Sequence, residues 1–209
     1  MAARGRRWAR EDLAGDPLLV ARALLGAHLV AGPVTLRLTE VEAYWGSKDP
    51  GSHGYRGMTP RTEVMFGPPG HLYVYRSYGI HWCANIVCGT AGECAAVLVR
   101  AGEVVGGHDV VAARRPEVRE RDWARGPGRL TKALGLVGED NGAALVGRGA
   151  PFALYGPSTP PADAVVRTGP RVGVSGPGGD GTAYPWRYWI DGEPTVSVYR
   201  PGKPRIRRG

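Results

Sequence analysis

Residues 34–44, VTLRLTEVEAY, alternate between apolar and polar side chains over most of their length. Val34, Leu36 and Leu38 share one face of this stretch, and polar residues share the other. A period of two residues is typical of a half-buried β-strand. The pattern therefore predicts a strand whose apolar face lies on a core.

A helical pattern precedes this strand. Asp16 and Pro17 are typical of an N-cap and a first helical position, and the apolar run LLVARALL follows them. Gly26 comes directly after the run, and glycine is common where helices end. The segment predicts an amphipathic helix that packs on the core.

The remaining apolar runs are short and are separated by Gly and Pro residues. We predict a hairpin over 71–88, with its turn at Ser77, Tyr78 and Gly79. Further strands are expected at 94–102, 151–156, 170–174, 185–190 and 194–199, and helices at 109–123 and 129–136. Together the elements predict a single-domain α+β fold, in which helices flank a curved, mostly antiparallel sheet with a protruding β-hairpin.

Composition and charge add domain boundaries to this picture. The chain has 209 residues, of which 43% are hydrophobic, so one core of good size is expected. Nine of the 27 basic residues lie in residues 1–10 and 200–209, which contain no acidic residue. The other 18 face 19 acidic residues, so the net charge of +8 comes from the two ends. We expect basic tails at 1–15 and 201–209 around one domain at 16–200.

Neither a membrane span nor an export signal is predicted. The longest apolar stretch, LLVARALLGAHLV, is interrupted by Arg22 and is too short to cross a bilayer. The basic start of the chain runs into Glu11 and Asp12 instead of an apolar segment, unlike a secretory signal. A cytoplasmic location is therefore expected.

The three cysteines are expected to be buried, reduced thiols. Cys83, Cys88 and Cys94 are an odd number in a chain without an export signal. Their spacing lacks a Cys-x-x-Cys pair, so no metal site is predicted.

The long strand carries two carboxylates where a core face is expected. Glu40 and Glu42 continue the face of Leu38, and a buried carboxylate is costly unless it is paired. Arg100 shares a face with Leu98 in a later predicted strand, which makes it a candidate countercharge. The alternative is a β-bulge or a strand end that returns both glutamates to solvent.

Aromatic residues are concentrated in the predicted hairpin. Tyr73 and Tyr75 share one strand face, and Tyr78 falls at the turn, where its own protein offers little to pack against. A tip tyrosine is often simply exposed, but beside an aromatic-lined pocket it indicates a wedge that enters between bases. His53 lies in a polar, turn-rich loop, where a histidine is usually solvated.

The chain also contains the blocks EVEAY, SHGYRGMTPR, VMFGPPGHLYVY, YGIHWCANIVC, AAVLVRAGE, RGPGRLTKALGL, PRVGV and PWRYWI. In this order and spacing they closely resemble the alkyladenine (3-methyladenine) DNA glycosylase family, over about residues 16–199. The resemblance implies a monofunctional enzyme that starts base excision repair. Such an enzyme flips an alkylated or deaminated purine out of the duplex and hydrolyses its bond to deoxyribose.

The resemblance implies roles for the charged residues. Glu42 matches the family's general base, which activates a water for attack on C1′ of the sugar. Arg100 matches an arginine that helps to hold this water and the carboxylate, and His53 lies in the pocket with its backbone near the water. No metal, no organic cofactor and no Schiff-base lysine is expected.

The resemblance also implies how DNA is bound. Tyr44 and Tyr75 match the aromatic residues that, with His53, sandwich the flipped base. Asn85 matches a residue that discriminates against the amino group of guanine, and Tyr78 matches the residue that fills the gap in the duplex. The expected partner is double-stranded DNA containing damaged purines, bound by a monomer without membrane attachment.

The block RGPGRLTKALGL suggests contacts with the DNA backbone. A Gly-Pro-Gly turn at a helix start presents free N–H groups suited to a phosphate, and Arg125, Arg129 and Lys132 are close in sequence. A plain surface helix is an equally good interpretation. The block also resembles a helix-hairpin-helix element, but the strand-rich surroundings do not favour that largely helical superfamily.

Two other functions are weighed against this one. A non-catalytic module that reads distorted DNA or single-stranded RNA would use the same aromatic residues and tip. Glu42, Arg100 and His53 together favour chemistry, because a module that only binds has no need of a charged water site. A glycoside hydrolase using Glu40 and Glu42 is disfavoured, since residues two apart on one strand cannot flank the scissile bond.

Overall fold

The structure, a computed structural model, describes residues 4–202, and each strand pairing within them is antiparallel. The strands are β1 (Arg4–Arg7), β2 (His28–Ala31), β3 (Val34–Tyr44), β4 (Leu72–Ser77), β5 (His81–Val87), β6 (Ala96–Gly106), β7 (Phe152–Pro157), β8 (Val166–Gly169) and β9 (Arg187–Ile190). The helices are α1 (Pro17–Ala23), α2 (His108–Arg114) and α3 (Pro127–Leu134). The predicted α+β class and mostly antiparallel sheet are confirmed. Within the described residues, the helices are all too short or too polar to span a bilayer.

The long strand β3 is the centre of the sheet. β6 pairs along one edge of β3, while β2 and β9 share the other edge, near its start and its end respectively. The strand order is β1-β7-β2-β3-β6-β5-β4, and β8 pairs with β9. The end of β3 is therefore held by hydrogen bonds on both edges.

Two apolar clusters lie on opposite faces of the sheet. Leu72 and Val74 of β4 belong to the main core, which also contains residues of the three α-helices. Tyr73, between them, belongs to a smaller cluster with Met65. Because neighbouring residues of a strand point to opposite faces, the helices cover one face of the sheet and the loop around Met65 covers the other.

Two elements form where local signals predict them. The Asp16 side chain accepts the N–H of Leu18 at 2.7 Å, which caps α1, and Pro17 is its first residue. Gly26 follows the helix with a φ of 79°, a left-handed conformation that glycine adopts without strain. β3 covers all of residues 34–44, as the alternation predicts.

The alternation of β3 breaks after Leu38. Leu38 belongs to the main core, but beyond the break Val41 and Ala43 take that place, and the β3–β6 register shifts at the same point. The expectation that Glu40 and Glu42 continue the core face is therefore wrong, because a bulge moves them to the opposite face. They remain fully buried there, so the alternative in which a bulge exposes them is wrong as well.

The N-terminal segment is packed against the sheet. β1 pairs with β7, and the side chains of Trp8 and Leu13 are buried in the main core. The prediction of a tail over residues 1–15 is thus wrong for residues 4–15, because these apolar side chains anchor a strongly basic segment. Residues 203–209 of the predicted C-terminal tail lie outside the described residues.

Two predicted strands are absent from residues 4–202. Residues 170–174 form a loop in which Gly173 has a φ of 74°, and residues 194–199 also lack strand pairing. Both segments contain alternating apolar residues, but they lie against the face of the sheet that carries Glu40 and Glu42 instead of joining its edge. Their backbone groups contact the two buried glutamates.

Candidate active site

Glu42 lies near the end of β3 and is fully buried. Its Oε1 accepts the N–H of Val172 at 2.6 Å and lies 3.3 Å from Nη1 of Arg100. Its Oε2 accepts the hydroxyl of Tyr44 at 2.9 Å. The carboxylate is thus oriented by three groups from three parts of the chain.

Glu40, its neighbour on the same face, is bound more completely. Its Oε1 lies 3.0 Å from Nε of Arg100 and 2.6 Å from Nε of Arg187, and it accepts the Ser197 hydroxyl at 2.9 Å. Its Oε2 accepts the N–H of Ser197 at 2.7 Å. Glu40 is therefore bound by two arginines and by both donors of Ser197. Glu42 is bound by one arginine, one backbone N–H and the Tyr44 hydroxyl.

Arg100 is a shared countercharge, as the sequence predicts. It is 5% exposed and contacts both Glu40 and Glu42. Burial lowers the pKa of Arg100, but the charges of Glu42 and Glu40 outweigh this effect and raise it overall. Arg100 is therefore permanently cationic and places one positive charge between the two glutamates.

Three rings form an aromatic cluster beside this ion pair: His53, Tyr73 and Tyr75. Tyr73 and Tyr75 of β4 are stacked, with centroids 5.4 Å apart and an interplanar angle of 23°. The His53 ring meets Tyr75 edge-on at 4.7 Å. Burial is the main reason that the pKa of Tyr75 is raised. Through Leu98 of β6 and Asn85 of β5, Tyr73 is aligned across the sheet with Glu42.

Tyr44 connects Glu42 to a second aromatic group. Burial raises the pKa of Tyr44 well above its ordinary value, and the charge of Glu42 raises it further, so its hydroxyl remains a hydrogen-bond donor. The Tyr44 ring lies 4.5 Å from the guanidinium carbon of Arg171. This arginine also faces the rings of Tyr184 and Trp186.

His53 is held as a neutral imidazole. His53 is an exposed residue whose ring meets Tyr73 and Tyr75 edge-on, with Nδ1 lying 3.1 Å from the hydroxyl of Tyr73. Burial and the cation of Arg61 lower the pKa of His53 to about 4. At neutral pH the ring therefore offers one donor and one acceptor nitrogen and no charge.

We expect the His53 imidazole to stay neutral from pH 8 down to about pH 5, because its pKa of about 4 lies well below the ordinary value of about 6.5. An NMR titration of the ring nitrogens checks this. Arg61→Gln removes a cation that opposes protonation, so the midpoint should rise in that variant. A midpoint near 6.5 in the unaltered protein would contradict the ring contacts described above.

Asn85 lies beside the aromatic cluster. It is buried on β5, directly opposite Tyr73 in the β4–β5 register, and its Nδ2 donates to the Tyr73 carbonyl at 3.1 Å. This bond fixes the orientation of the amide. The predicted pocket residue is therefore next to the stacked rings.

Tyr78 lies between β4 and β5, which pair antiparallel up to Ser77 and His81. Its side chain is 90% exposed, and its φ of 50° is unusual for a tyrosine. Ile80 beside it is 68% exposed. Two large apolar side chains thus project from one turn without packing on their own protein.

The start of α3 lies against the start of β5. A β-carbon at Gly128 would come within 2.9 Å of Cβ of His81, so this glycine permits the contact. The hydroxyl of Thr131 donates to the carbonyl of Trp82 at 2.8 Å. The start of α3 therefore packs against His81, which follows Tyr78 by three residues.

The three residues predicted to contact phosphate differ in how far their positive charge is already paired within the protein. Arg125 is partly committed, since it donates to the carbonyl of Val196 at 2.9 Å and to Asp122 at 3.3 Å. Arg129 is exposed and lies 3.8 Å from Asp122. Lys132 is exposed on the following turn.

The structure adds residues that the sequence does not single out. Val172 supplies a backbone N–H to Glu42, and Asp49 and Arg171 form a buried ion pair beside it. A backbone donor has no residue-type signature, and the block PRVGV reads as a strand. Within this block, Pro170 and Gly173 are the residue types that indicate a turn.

Other features of the surface lie apart from this site. The described residues contain no group of three His, Cys, Asp or Glu side chains arranged for a metal ion, and the three cysteines are free and buried. Two surface clefts, of about 360 and 540 Å³, are lined by other residues and include neither Glu42 nor the aromatic cluster. The candidate site is thus the buried carboxylate and its aromatic neighbours.

A buried carboxylate beside stacked aromatic rings, on a sheet with an exposed aromatic tip, fits the class of DNA glycosylases that the sequence blocks resemble. Residues 11–194 match the family model described as Methylpurine-DNA glycosylase (MPG), and the chain belongs to that family. It is 54% identical to a protein of Frankia casuarinae over 192 residues, covering 88% of this chain and 89% of the relative. It is 50% identical to a protein of Streptomyces avermitilis over 208 residues, covering 95% and 94%. Both relatives carry the name "Putative 3-methyladenine DNA glycosylase".

Proposed function

We propose that this protein is a monofunctional 3-methyladenine DNA glycosylase, which hydrolyses the N-glycosidic bond of alkylated purines in double-stranded DNA with a water activated by Glu42. One observation carries the proposal. Glu42 is fully buried, paired with Arg100 and hydrogen-bonded to Tyr44, and it is aligned across the sheet with Asn85 and with Tyr73 of the aromatic cluster. Glu40 makes four polar contacts to the three of Glu42, and a second arginine, Arg187, is the partner that Glu42 lacks.

The chemistry needs one base and no acid. Water attacks C1′ of the deoxyribose, its proton passes to Glu42, and the C1′–N bond breaks with its electron pair going to the purine. An N3- or N7-alkylated purine carries a positive charge in the DNA and leaves as a neutral base. The products are the free base and an abasic sugar, and no lysine adduct forms.

The aromatic residues would bind the extrahelical base. Tyr44 is hydrogen-bonded to Glu42, and Tyr75 and His53 meet edge-on in the aromatic cluster. Electron-rich rings favour a cationic purine over a neutral one. Asn85, fixed by its bond to Tyr73, would exclude the amino group of an unmodified guanine. Selectivity then combines the lability of the lesion with the fit of the pocket.

Alkylated purines are the substrates that we assign first. A deaminated purine such as hypoxanthine is neutral and must be protonated as it leaves. His53, with a pKa of about 4, is a poor proton donor at neutral pH. Cationic lesions need no such donor.

Tyr78 would fill the space left by the flipped nucleotide. Unstacking a base costs a few kcal/mol, and an aromatic wedge in the stack recovers part of that cost. Arg129 and Lys132 belong to α3, which packs against the start of β5, and they would bind the phosphates of the distorted strand.

Tyr78→Ala should weaken binding to a duplex with a tetrahydrofuran abasic analogue by about 10- to 100-fold, because a stacking contact of about 1–3 kcal/mol is lost. Its melting temperature should not change, since the side chain is 90% exposed. Fluorescence anisotropy and thermal denaturation measure the two effects. Tyr55→Ala, which removes another exposed tyrosine, serves as a control. Equal affinities for Tyr78→Ala and the unaltered protein would remove Tyr78 from this role.

The direct test is incubation with duplex DNA alkylated by dimethyl sulphate. We expect free 3-methyladenine and 7-methylguanine by chromatography, and strands that stay intact until alkali cleaves them at abasic sites. Unalkylated duplex is the control. Tight binding to the alkylated duplex without abasic sites would identify a module that only binds DNA, and would overturn the proposal.

A further inference from the structure

We infer that the buried ion pair of Asp49 and Arg171 positions the groups that orient Glu42. It sets the backbone N–H of Val172 and the ring of Tyr44, and these supply two of the three contacts of the carboxylate. The inference rests on the proposed function of Glu42. Arg171 and Asp49 are positioning residues in this scheme, because neither touches the reacting atoms.

The pair has the geometry of a rigid connection. Both side chains are fully buried, and Nη1 and Nη2 of Arg171 each lie 2.5 Å from one oxygen of Asp49. Two parallel N–H···O bonds fix the plane of the guanidinium as well as its position. A lysine ammonium cannot reproduce this arrangement.

Arg171 also binds two backbone carbonyls. Its Nη1 donates to the carbonyl of Ala43 at 2.9 Å, and Ala43 lies between Glu42 and Tyr44 on β3. Its Nη2 donates to the carbonyl of Gly178 at 2.8 Å, at the far end of its own loop. The loop that carries Val172 is thereby tied to the end of β3.

Asp49 ties in a third segment. Its Oδ1 accepts the N–H of Gly51 at 2.8 Å, and its Oδ2 accepts the N–H of Trp45 at 3.3 Å. These bonds order the turn that leads from β3 to His53. The one ion pair therefore connects the segments that carry Glu42, His53 and Val172.

Glycine is required where these segments meet. A β-carbon at Gly51 would lie 2.5 Å from Nη2 of Arg171, and one at Gly178 would lie 2.2 Å from the backbone nitrogen of Gly51. Both distances are too short for any side chain. The close approach of the two loops thus depends on the absence of side chains at these positions, which is a second, independent sign that the ion pair is tightly built.

The consequence for Glu42 follows from the chain sequence. Val172 follows Arg171 directly, so a shift of the guanidinium moves the N–H that lies 2.6 Å from Oε1. The Tyr44 ring packs 4.5 Å from the guanidinium carbon, so the same shift releases the hydroxyl on Oε2. Displacement of a catalytic group by about 1 Å costs on the order of 100-fold in rate.

The test compares Arg171→Lys and Asp49→Asn with the unaltered protein. The binding-competent fraction is first titrated with a duplex that carries a tetrahydrofuran abasic analogue. The single-turnover release of 7-methylguanine from alkylated duplex is then measured per competent molecule. We expect this rate to fall about 10- to 100-fold, as misplacement of a reacting group predicts, with the dissociation constant for the analogue unchanged.

Arg37→Lys is the matched control, because Arg37 also forms ion pairs, with Glu103 and Glu193, but lies at the opposite end of β3 from Ala43 and Tyr44. Its rate per competent molecule should stay the same. A pair that only stabilises the fold would lower the competent fraction and leave the rate per competent molecule unchanged, which would overturn the inference. If Arg171→Lys does not fold, Asp49→Asn decides, since asparagine keeps the shape of the side chain. Unaltered protein that releases no base would instead refute the proposed function itself.

Discussion

Glu42→Gln should reduce base release by about 10²- to 10⁴-fold, the usual contribution of a general base. Glutamine keeps the size of the side chain and an oxygen for the Val172 N–H, but it cannot accept a proton from water. Lesion binding should persist, because Tyr78 and α3 are unaffected. Single-turnover chromatography of released bases and anisotropy with alkylated duplex measure the two quantities.

Glu103→Gln is the control for this variant. It removes one carboxylate from β6, where Glu103 pairs with Arg37 away from the candidate site, and it should leave release unchanged. Turnover in Glu42→Gln at the level of this control would show that Glu42 is not the base. A loss of binding alongside turnover would point to a structural role for the carboxylate.

Arg100→Met should lower the free energy of unfolding by about 3–5 kcal/mol, because it leaves two buried carboxylates without the cation they share. For a domain of this size that loss corresponds to a melting temperature about 6–20 °C lower. Glu40 keeps Arg187, whereas Glu42 loses its one ion pair. Base release should fall as well.

Arg37→Met provides the comparison. Arg37 also pairs with two glutamates, Glu103 and Glu193, but its side chain is 24% exposed. Solvent screens partly exposed pairs, so the loss there should be about 1 kcal/mol or less. Chemical denaturation measures the free energy of unfolding of both variants. Equal losses of unfolding free energy in the two variants would mean that burial does not strengthen the ion pairs of Arg100.

The elements that could be located from the sequence are those with local signals. α1 has its N-cap at Asp16 and a glycine after its end, and β3 has an uninterrupted alternation through Leu38. The segments at 170–174 and 194–199 have similar apolar alternation, yet they form loops. Alternation predicts a strand only where a neighbouring strand is free to pair, and that is not a local property.

The candidate site shows the same division. Glu42 and Tyr44 are near each other because two residues of one strand share a face, and Arg100 was expected as their countercharge from its place in a later strand. From the sequence, a bulge is considered only as a way to expose both glutamates, whereas the bulge after Leu38 moves them to the opposite face and keeps them buried. The burial of the two glutamates is predicted correctly, but the face on which they are buried is not.

By itself, the sequence determined the α+β class, the strand over 34–44, the aromatic tip at Tyr78 and the family to which the chain belongs, because all of these are recorded in residue types at short or regular spacing. Only the tertiary structure decided that two arginines bind Glu40, whereas Glu42 is bound by one arginine, the Tyr44 hydroxyl and the Val172 N–H. It also decided that Asp49 and Arg171, 122 residues apart, tie the Val172 N–H to Glu42. Contacts of backbone groups and of residues so distant in the chain arise only when the segments pack, and no residue type announces them.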